Sequence, residues 1–472
     1  MKRSKKIYVL LAVLVVACIA TIVVKRVEEH KEKIKNSDEI ILQISPDTVK
    51  SLSWEYESNT LSFHKDDKWI YDGDEEFPVD QKKIEELLKV FKEFGAAFII
   101  EDVEDYGQYG LKDPTCTISL ATDEESYEIK LGDFSKMDSQ RYVSIGDGNV
   151  YLVKKDPLNY YDSELKDLIE NDKTPEFDDV NVKEIRFEGS ETYNITYEED
   201  SPDTYCKDDV YFARIGGEKL PLDTSRVDGY LTKISRLNLK DYVTYKATDE
   251  EIQKYGLDSP ELTVTVNFTT ENEDGEETSE TFVLNVSRDP EEKKEAEKSK
   301  KSGDAGAGEE EITAFARVGE SKIIYKISSN DYKDLTAASY NDLRHLEVLS
   351  ADFDDITRFD ISLDGNNYTI AARKRGDEIN YYYQGEKLDI TNFRKTFKDL
   401  KAEKFTDERP AQKEEIGLVV HLDNENFPEV RIQLYRYDGT YCLAVVDGKP
   451  ASLVQRSKVV AFIEAVNKIV LD

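Results

Sequence analysis

Three stretches of the chain alternate apolar and polar residues: Val49-Lys50-Ser51-Leu52-Ser53-Trp54, Val182-Lys183-Glu184-Ile185-Arg186-Phe187 and Ile356-Thr357-Arg358-Phe359-Asp360-Ile361. A period of two places the large apolar side chains on one face, so each stretch predicts a half-buried strand. A second strand and a glycine turn follow each, leading to Phe77-Pro78-Val79-Asp80, Leu220-Pro221-Leu222-Asp223 and Leu388-Asp389-Ile390-Thr391. The tetrads end in Asp80, Asp223 and Thr391, whose side-chain oxygens suit a helix N-cap. Apolar residues then recur every three or four positions, at Ile84, Leu87, Leu88, Phe91 and Phe94, at Val227, Leu231, Ile234 and Leu237, and at Phe393, Phe397 and Leu400. Each set makes one stripe and predicts an amphipathic helix.

Beyond these helices the chain uses one short joint twice, Tyr109-Gly110-Leu111-Lys112-Asp113-Pro114 and Tyr255-Gly256-Leu257-Asp258-Ser259-Pro260. The physics is that of a helix stop: glycine adopts the left-handed conformation that ends a short helix, leucine packs back on it, and proline prevents continuation. Ile416-Gly417-Leu418 reads as a degenerate third copy that lacks the tyrosine and the proline. Each joint runs into strands broken by glycine turns, and each series ends in a helical pattern, at residues 158–169, 332–343 and 457–470. Recurrence in the same order and spacing predicts a repeat. The fold class is therefore α+β, with three tandem units of antiparallel strands and packed helices at residues 47–177, 178–351 and 352–472.

The Tyr-Gly-Leu-x-x-Pro joint, together with an N-terminal anchor and these blocks, resembles an uncharacterised family of bacterial membrane-anchored proteins classed only as a domain of unknown function. Members of that family are often encoded beside ABC transporters of the gliding-motility type. The resemblance covers most of residues 47–472 and is strongest in the first two units; the third departs from it at the joint. It implies an extracytoplasmic accessory role with ABC permease or ATPase subunits as partners, and it brings no catalytic residues with it.

The N-terminus supplies the anchor. Residues 1–6 form a basic tail, and residues 7–24 are 18 positions without a charge. As a helix they span about 27 Å, close to a bilayer core of about 30 Å, which predicts one transmembrane helix. Val15-Val16-Ala17-Cys18 loosely matches a lipoprotein cleavage box, but the apolar run continues to Val24, which favours an uncleaved anchor. Positive charge flanks both ends of the run; a short tail before a large domain places the tail inside and residues 25–472 outside the cytoplasm. Residues 25–46 then read as a charged stalk, helical over 27–36, and residues 287–311, without an apolar run, as a disordered hairpin insertion.

Composition narrows the chemistry. With 64 basic and 99 acidic residues the net charge is −35, which argues against nucleic acid as a partner. The four cysteines are too few for a disulfide framework, and the four histidines are scattered without a Cys–His cluster or a catalytic motif. Ser163-Glu164-Leu165-Lys166 has a Ser-x-x-Lys spacing that arises readily by chance in a lysine-rich chain. No cofactor, metal or catalytic residue is predicted. Tyr381 and Tyr383, on one face of a strand, are the candidate ligand-binding residues for an envelope glycan or peptide. The leading expectation is a non-enzymatic, membrane-anchored scaffold or binding protein. A glycan- or peptide-binding protein is the alternative, and a hydrolase assembled from separate units stands behind both.

Overall fold

Each of the three alternating stretches becomes an interior strand of its own sheet. The structure, a computed structural model, describes residues 13–21, 33–177, 181–271, 275–302, 311–375 and 378–471. Two compact units contain the chain, residues 1–171 with the first sheet and 172–472 with the second and third.

The sheets share one strand order. From its centre the first sheet runs outward through Val49–Tyr56, Asn59–Lys65 and Trp69–Tyr71. The chain then passes through helix Gln81–Lys89 to the opposite edge, where it lays down Phe94–Glu101, and returns to pair Cys116–Thr122 with the first strand. Ser126–Ser135, Gln140–Ser144 and Val150–Val153 continue outward until the last meets the edge strand. The second sheet repeats this path through Asn181–Glu188, helix Thr224–Ser235, edge strand Tyr242–Thr244 and return strand Leu262–Glu271. The third does so through Ile356–Leu363, helix Thr391–Lys398, edge strand Ala402–Phe405 and return strand Glu414–Leu422. Every pairing among the described strands is antiparallel.

Helices cover one face of each sheet because the alternation leaves that face apolar. Trp54 meets Tyr161 edge-on at 5.4 Å, Phe187 meets Tyr230 at 5.4 Å and Phe359 meets Phe393 at 5.0 Å. Asp80 and Asp223 cap their helices by accepting two backbone N–H groups each. In the third sheet the helix starts at Thr391 itself, and Asp389 accepts its N–H at 3.0 Å. The expected cap Thr391 is therefore replaced by Asp389, whose carboxyl is held below its usual pKa by the bonds from Thr391.

The joints have one geometry. Gly110 and Gly256 both sit at φ 71°. Leu111 N–H donates to Tyr106 O and Gly110 N–H to Gly107 O, and Leu257 N–H donates to Ile252 O and Gly256 N–H to Gln253 O. These paired bonds are the Schellman motif, which satisfies the last carbonyls of a helix. Leu111 with Tyr106, and Leu257 with Ile252, lie in small apolar clusters that also take in residues of the last strands. Tyr109 packs on Tyr142 at 4.9 Å and Tyr255 on Phe315 at 4.5 Å. Pro114 and Pro260 precede the return strands. Gly417 and Leu418 form no such joint: both lie inside strand Glu414–Leu422, paired with Ser362 and Ile361. The short link 406–413 does that duty in the third sheet, and periodicity within a strand produced the Gly-Leu match.

Three further expectations change. Residues 33–36, expected in a helical stalk, add a strand to Phe94–Glu101, whose open edge offers unpaired backbone groups. Residues 290–302, expected disordered, form helix Pro290–Ser302. No apolar face drives it; Asp289 accepts the N–H groups of Glu291 and Glu292, proline occupies the first turn, and Glu261 binds Lys293. The expected anchor, residues 7–24, lies partly outside the described residues; residues 13–21 are helical, with Val13, Leu14, Val15, Val16 and Ile19 exposed. Among the described residues no helix is long and apolar enough to cross a membrane.

Glu261 also accepts from Tyr332 Oη at 2.5 Å and from Arg288 N–H at 3.2 Å. Burial pushes its pKa up, but the bonds from Lys293, Tyr332 and Arg288 outweigh this and hold it below the ordinary glutamate value. A lowered folded pKa stabilises above the unfolded glutamate value of about 4.3 and loses that contribution as pH falls through the folded one. The protection of residues 290–302 against hydrogen exchange, taken relative to the intrinsic rate at each pH, therefore falls on acidification below about pH 4, and Glu261→Gln lowers it already at neutral pH.

Gly110→Ala places a methyl group in the left-handed region and within 2.8 Å of Asp133 N. It costs at least about 1–2 kcal/mol. At Gly417 the φ is not positive and the nearest atom is the flexible carboxylate end of Glu414, so Gly417→Ala stays within about 0.5 kcal/mol of wild type. Chemical denaturation of the two variants checks the contrast.

Candidate functional site

A loop in the second sheet, the N-terminus of one of its helices and the connection leading to the third sheet enclose a polar cleft of about 530 Å³. The loop carries Thr204, Cys206 and Asp209. Its turn is closed by Asp209 N–H donating to Cys206 O at 3.2 Å, and Thr204 Oγ1 accepts Cys206 N–H at 3.0 Å. Asp223 is the cap of helix Thr224–Ser235 and enters from the helix end. His345 and Glu347 follow helix Tyr340–Leu343, whose start is fixed by reciprocal bonds between Ser339 and Asp342.

Electrostatics converge on His345. Its Nε2 lies 2.8 Å from Asp209 Oδ1 and its Nδ1 lies 3.9 Å from Asp223 Oδ2. Asp209 is 2% exposed, and Thr204 Oγ1 donates to its Oδ2 at 2.7 Å, so both carboxylate oxygens are engaged. Burial lowers the His345 pKa, yet its bond to the Asp209 carboxylate and the charges of Asp209, Asp223 and Glu347 outweigh this, for a net increase. Cys206 stands beside Asp209, and burial followed by that negative charge pushes its thiol up to about 12. A thiol held protonated is a poor nucleophile, so unaided thiolate catalysis does not suit this cluster. Glu347 is taken by Lys401 at 2.8 Å.

Ligand atoms of Cys206, Asp209 and His345 all lie within 4.8 Å of one another, as do those of Asp223, His345 and Glu347. The sequence shows no Cys–His cluster because Asp209 and His345 are 136 residues apart, far beyond any metal-motif spacing. The one local signal is Cys206 three residues before Asp209, which puts both side chains on one turn.

The sequence-predicted residues lie elsewhere. Tyr381 is 4% exposed, with its hydroxyl donating to Phe353 O at 3.0 Å and packed against Phe353 on the helix-covered face. It cannot contact a ligand, because its side of the strand is the core side. Tyr383 is half-buried and lines a shallow cleft of about 640 Å³ with Asn392 and Lys468. Ser163 donates to Tyr160 O and Lys166 pairs with Glu164. His64 pairs with Asp72 and His421 with Asp360, while His30 lies outside the described residues.

A chain of three tandem α+β sheets with a polar cleft beside the second is thus defined. It belongs to the family described as Domain of unknown function (DUF4340), which matches residues 69–212 and 214–419. The first match begins at strand Trp69–Tyr71 and the second inside Tyr211–Ile215, its counterpart in the second sheet, so both open on the same element. No curated protein and no solved structure matches the chain.

Tyr381→Phe leaves the Phe353 carbonyl without its donor and lowers stability by about 1 kcal/mol, whereas Tyr383→Phe changes it by less than about 0.5 kcal/mol. Asp209→Ala strips His345 and Thr204 of their shared partner and costs about 2–4 kcal/mol. Denaturant titrations of the three variants measure these differences.

Proposed function

We propose that this chain is a membrane-anchored, extracytoplasmic, non-enzymatic scaffold or binding protein, accessory to an ABC-type transporter complex. The observation that carries the reading is the recurrence of one strand order in three successive sheets. Tandem copies of a unit multiply surface and present extended faces to a partner, as in other repeat architectures. The uncharged run at residues 7–24 supports a membrane anchor, with the sheets on the far side. A net charge of −35 favours a partner with a basic face and disfavours nucleic acid. The transporter partner rests on the family resemblance. Burial of Tyr381 removes half of the aromatic pair on which a glycan-binding reading depends.

Extraction of the full-length chain from its native membrane in mild detergent, followed by mass spectrometry of what co-purifies, tests the proposal. ABC permease and ATPase subunits are expected with the intact chain and are lost when residues 1–35 are removed. Recovery of other membrane complexes without any transporter subunit overturns the accessory role.

A further inference from the structure

We propose that Cys206, Asp209 and His345 form a binding site for a divalent transition metal of the zinc type. Sulfur, imidazole nitrogen and carboxylate oxygen together suit zinc and its neighbours and disfavour magnesium and calcium, which take oxygen. The three ligand atoms lie within 4.8 Å of one another. Ligands at bond lengths of about 2.0–2.3 Å from a shared metal stand about 3–4 Å apart, so Nε2 and Oδ1, now 2.8 Å apart, separate slightly to admit the ion while the remaining spacings stay within reach of it.

The supporting groups are arranged as a metal site requires. Cys206 and Asp209 come from one turn, closed by its own backbone bond, so two ligands arrive already oriented. Thr204 Oγ1 holds Asp209 Oδ2 at 2.7 Å, so the ion takes Oδ1 by replacing the proton that Oδ1 now shares with His345 Nε2. On the other side of the imidazole, Asp223 Oδ2 faces Nδ1 at 3.9 Å. At 3.9 Å this is a charge contact and not a hydrogen bond; a carboxylate that closes onto the non-ligating nitrogen fixes the tautomer and the ring orientation of a metal-bound histidine. Asp223 is itself held by the N–H groups of Ser225 and Arg226. The cleft supplies the entry path, and three protein ligands leave a fourth tetrahedral position for water or a ligand from solution.

Coordination exchanges protons for metal. The Cys206 thiol loses its proton to solvent, and the proton between Nε2 and Oδ1 is released or passes to Nδ1 opposite Asp223. The bound ion then ties the loop of the second sheet to the segment that leads into the third. A structural Asp209–His345 pair without metal is the competing account, and the thiol distinguishes them, because an ion pair has no use for Cys206.

Cobalt(II) is the probe, titrated into the purified full-length chain in detergent. Expected are the intense visible bands of tetrahedral cobalt, a near-ultraviolet thiolate-to-cobalt charge-transfer band, saturation at a single ion per chain, and bleaching of both by zinc. Cys206→Ser abolishes the charge-transfer band, His345→Gln abolishes the tetrahedral spectrum, and Cys18→Ser changes neither. Asp223→Asn retains a helix-capping side chain; it keeps the charge-transfer band but weakens binding by about 10–100-fold. Circular dichroism checks that each variant is folded. A wild-type chain without tetrahedral bands, or a charge-transfer band that survives in folded Cys206→Ser, overturns the site.

Discussion

Each sheet depends on one long-range pairing at its centre. Leu52 opposes Leu120, Ile185 opposes Val266 and Phe359 opposes Val420, all joining the first strand of a sheet to the strand that returns from the far edge. Most other pairings are hairpins between strands consecutive in sequence; the exceptions are the strand laid down after the helix meeting the last strand in each sheet and, in the first sheet, residues 33–36 and 40–42 pairing with Phe94–Glu101. Hairpins form locally, but without the central pairing they remain separate ribbons. Loop-closure entropy opposes it, growing slowly with the length of intervening chain. The apolar residues on both partners, buried under the helices, offset that cost.

Getting from the edge back to the centre is the task of the joint. In the first two sheets a short helix ends in a left-handed glycine and its leucine folds back, so the segment lies on the last strands and covers their outer apolar residues. The third sheet makes the return with the link 406–413 alone. There Leu443, Val445 and Leu453 are covered by Tyr435, Tyr437 and Tyr441, and the link is held by Gln412 Nε2 donating to Tyr437 O and by Tyr437 Oη donating to Glu408. Aromatic side chains replace a helix as the cover for the same face.

The three described histidines each meet an aspartate, but their settings differ. His64 and Asp72 are exposed, and His421 shares Asp360 with Arg358 on a sheet surface. Only around His345 does a buried carboxylate coincide with a thiol, a second carboxylate and an open cleft. That convergence arises where a loop of the second sheet meets the connection into the third, so neither segment holds it alone. Lys207 bonded to Asp355 at 2.7 Å and Tyr205 packed edge-on against Phe427 at 5.6 Å keep the same loop against the third sheet.

Period-two and period-three-to-four patterns, with the caps Asp80 and Asp223, made the strands, the helices and their threefold order legible in the sequence, because each is decided by neighbours a few residues apart. The Schellman joints at Gly110 and Gly256 were legible for the same reason: glycine, leucine and proline act within one turn. Local matching failed where a residue's role depends on what lies across the sheet. Gly417-Leu418 has the letters of a joint and the position of a central strand, and Tyr381 has the look of a binding aromatic on a face that helices cover. Helix Pro290–Ser302 owes its order to Asp289 and to Glu261 from another strand, not to an apolar stripe. The edge strand at residues 33–36 owes its order to open backbone groups on Phe94–Glu101. The cleft was decided by tertiary structure alone: a buried polar cluster is built from direct contact at about 3 Å, and in this chain only the folded sheets bring Asp209 and His345 together.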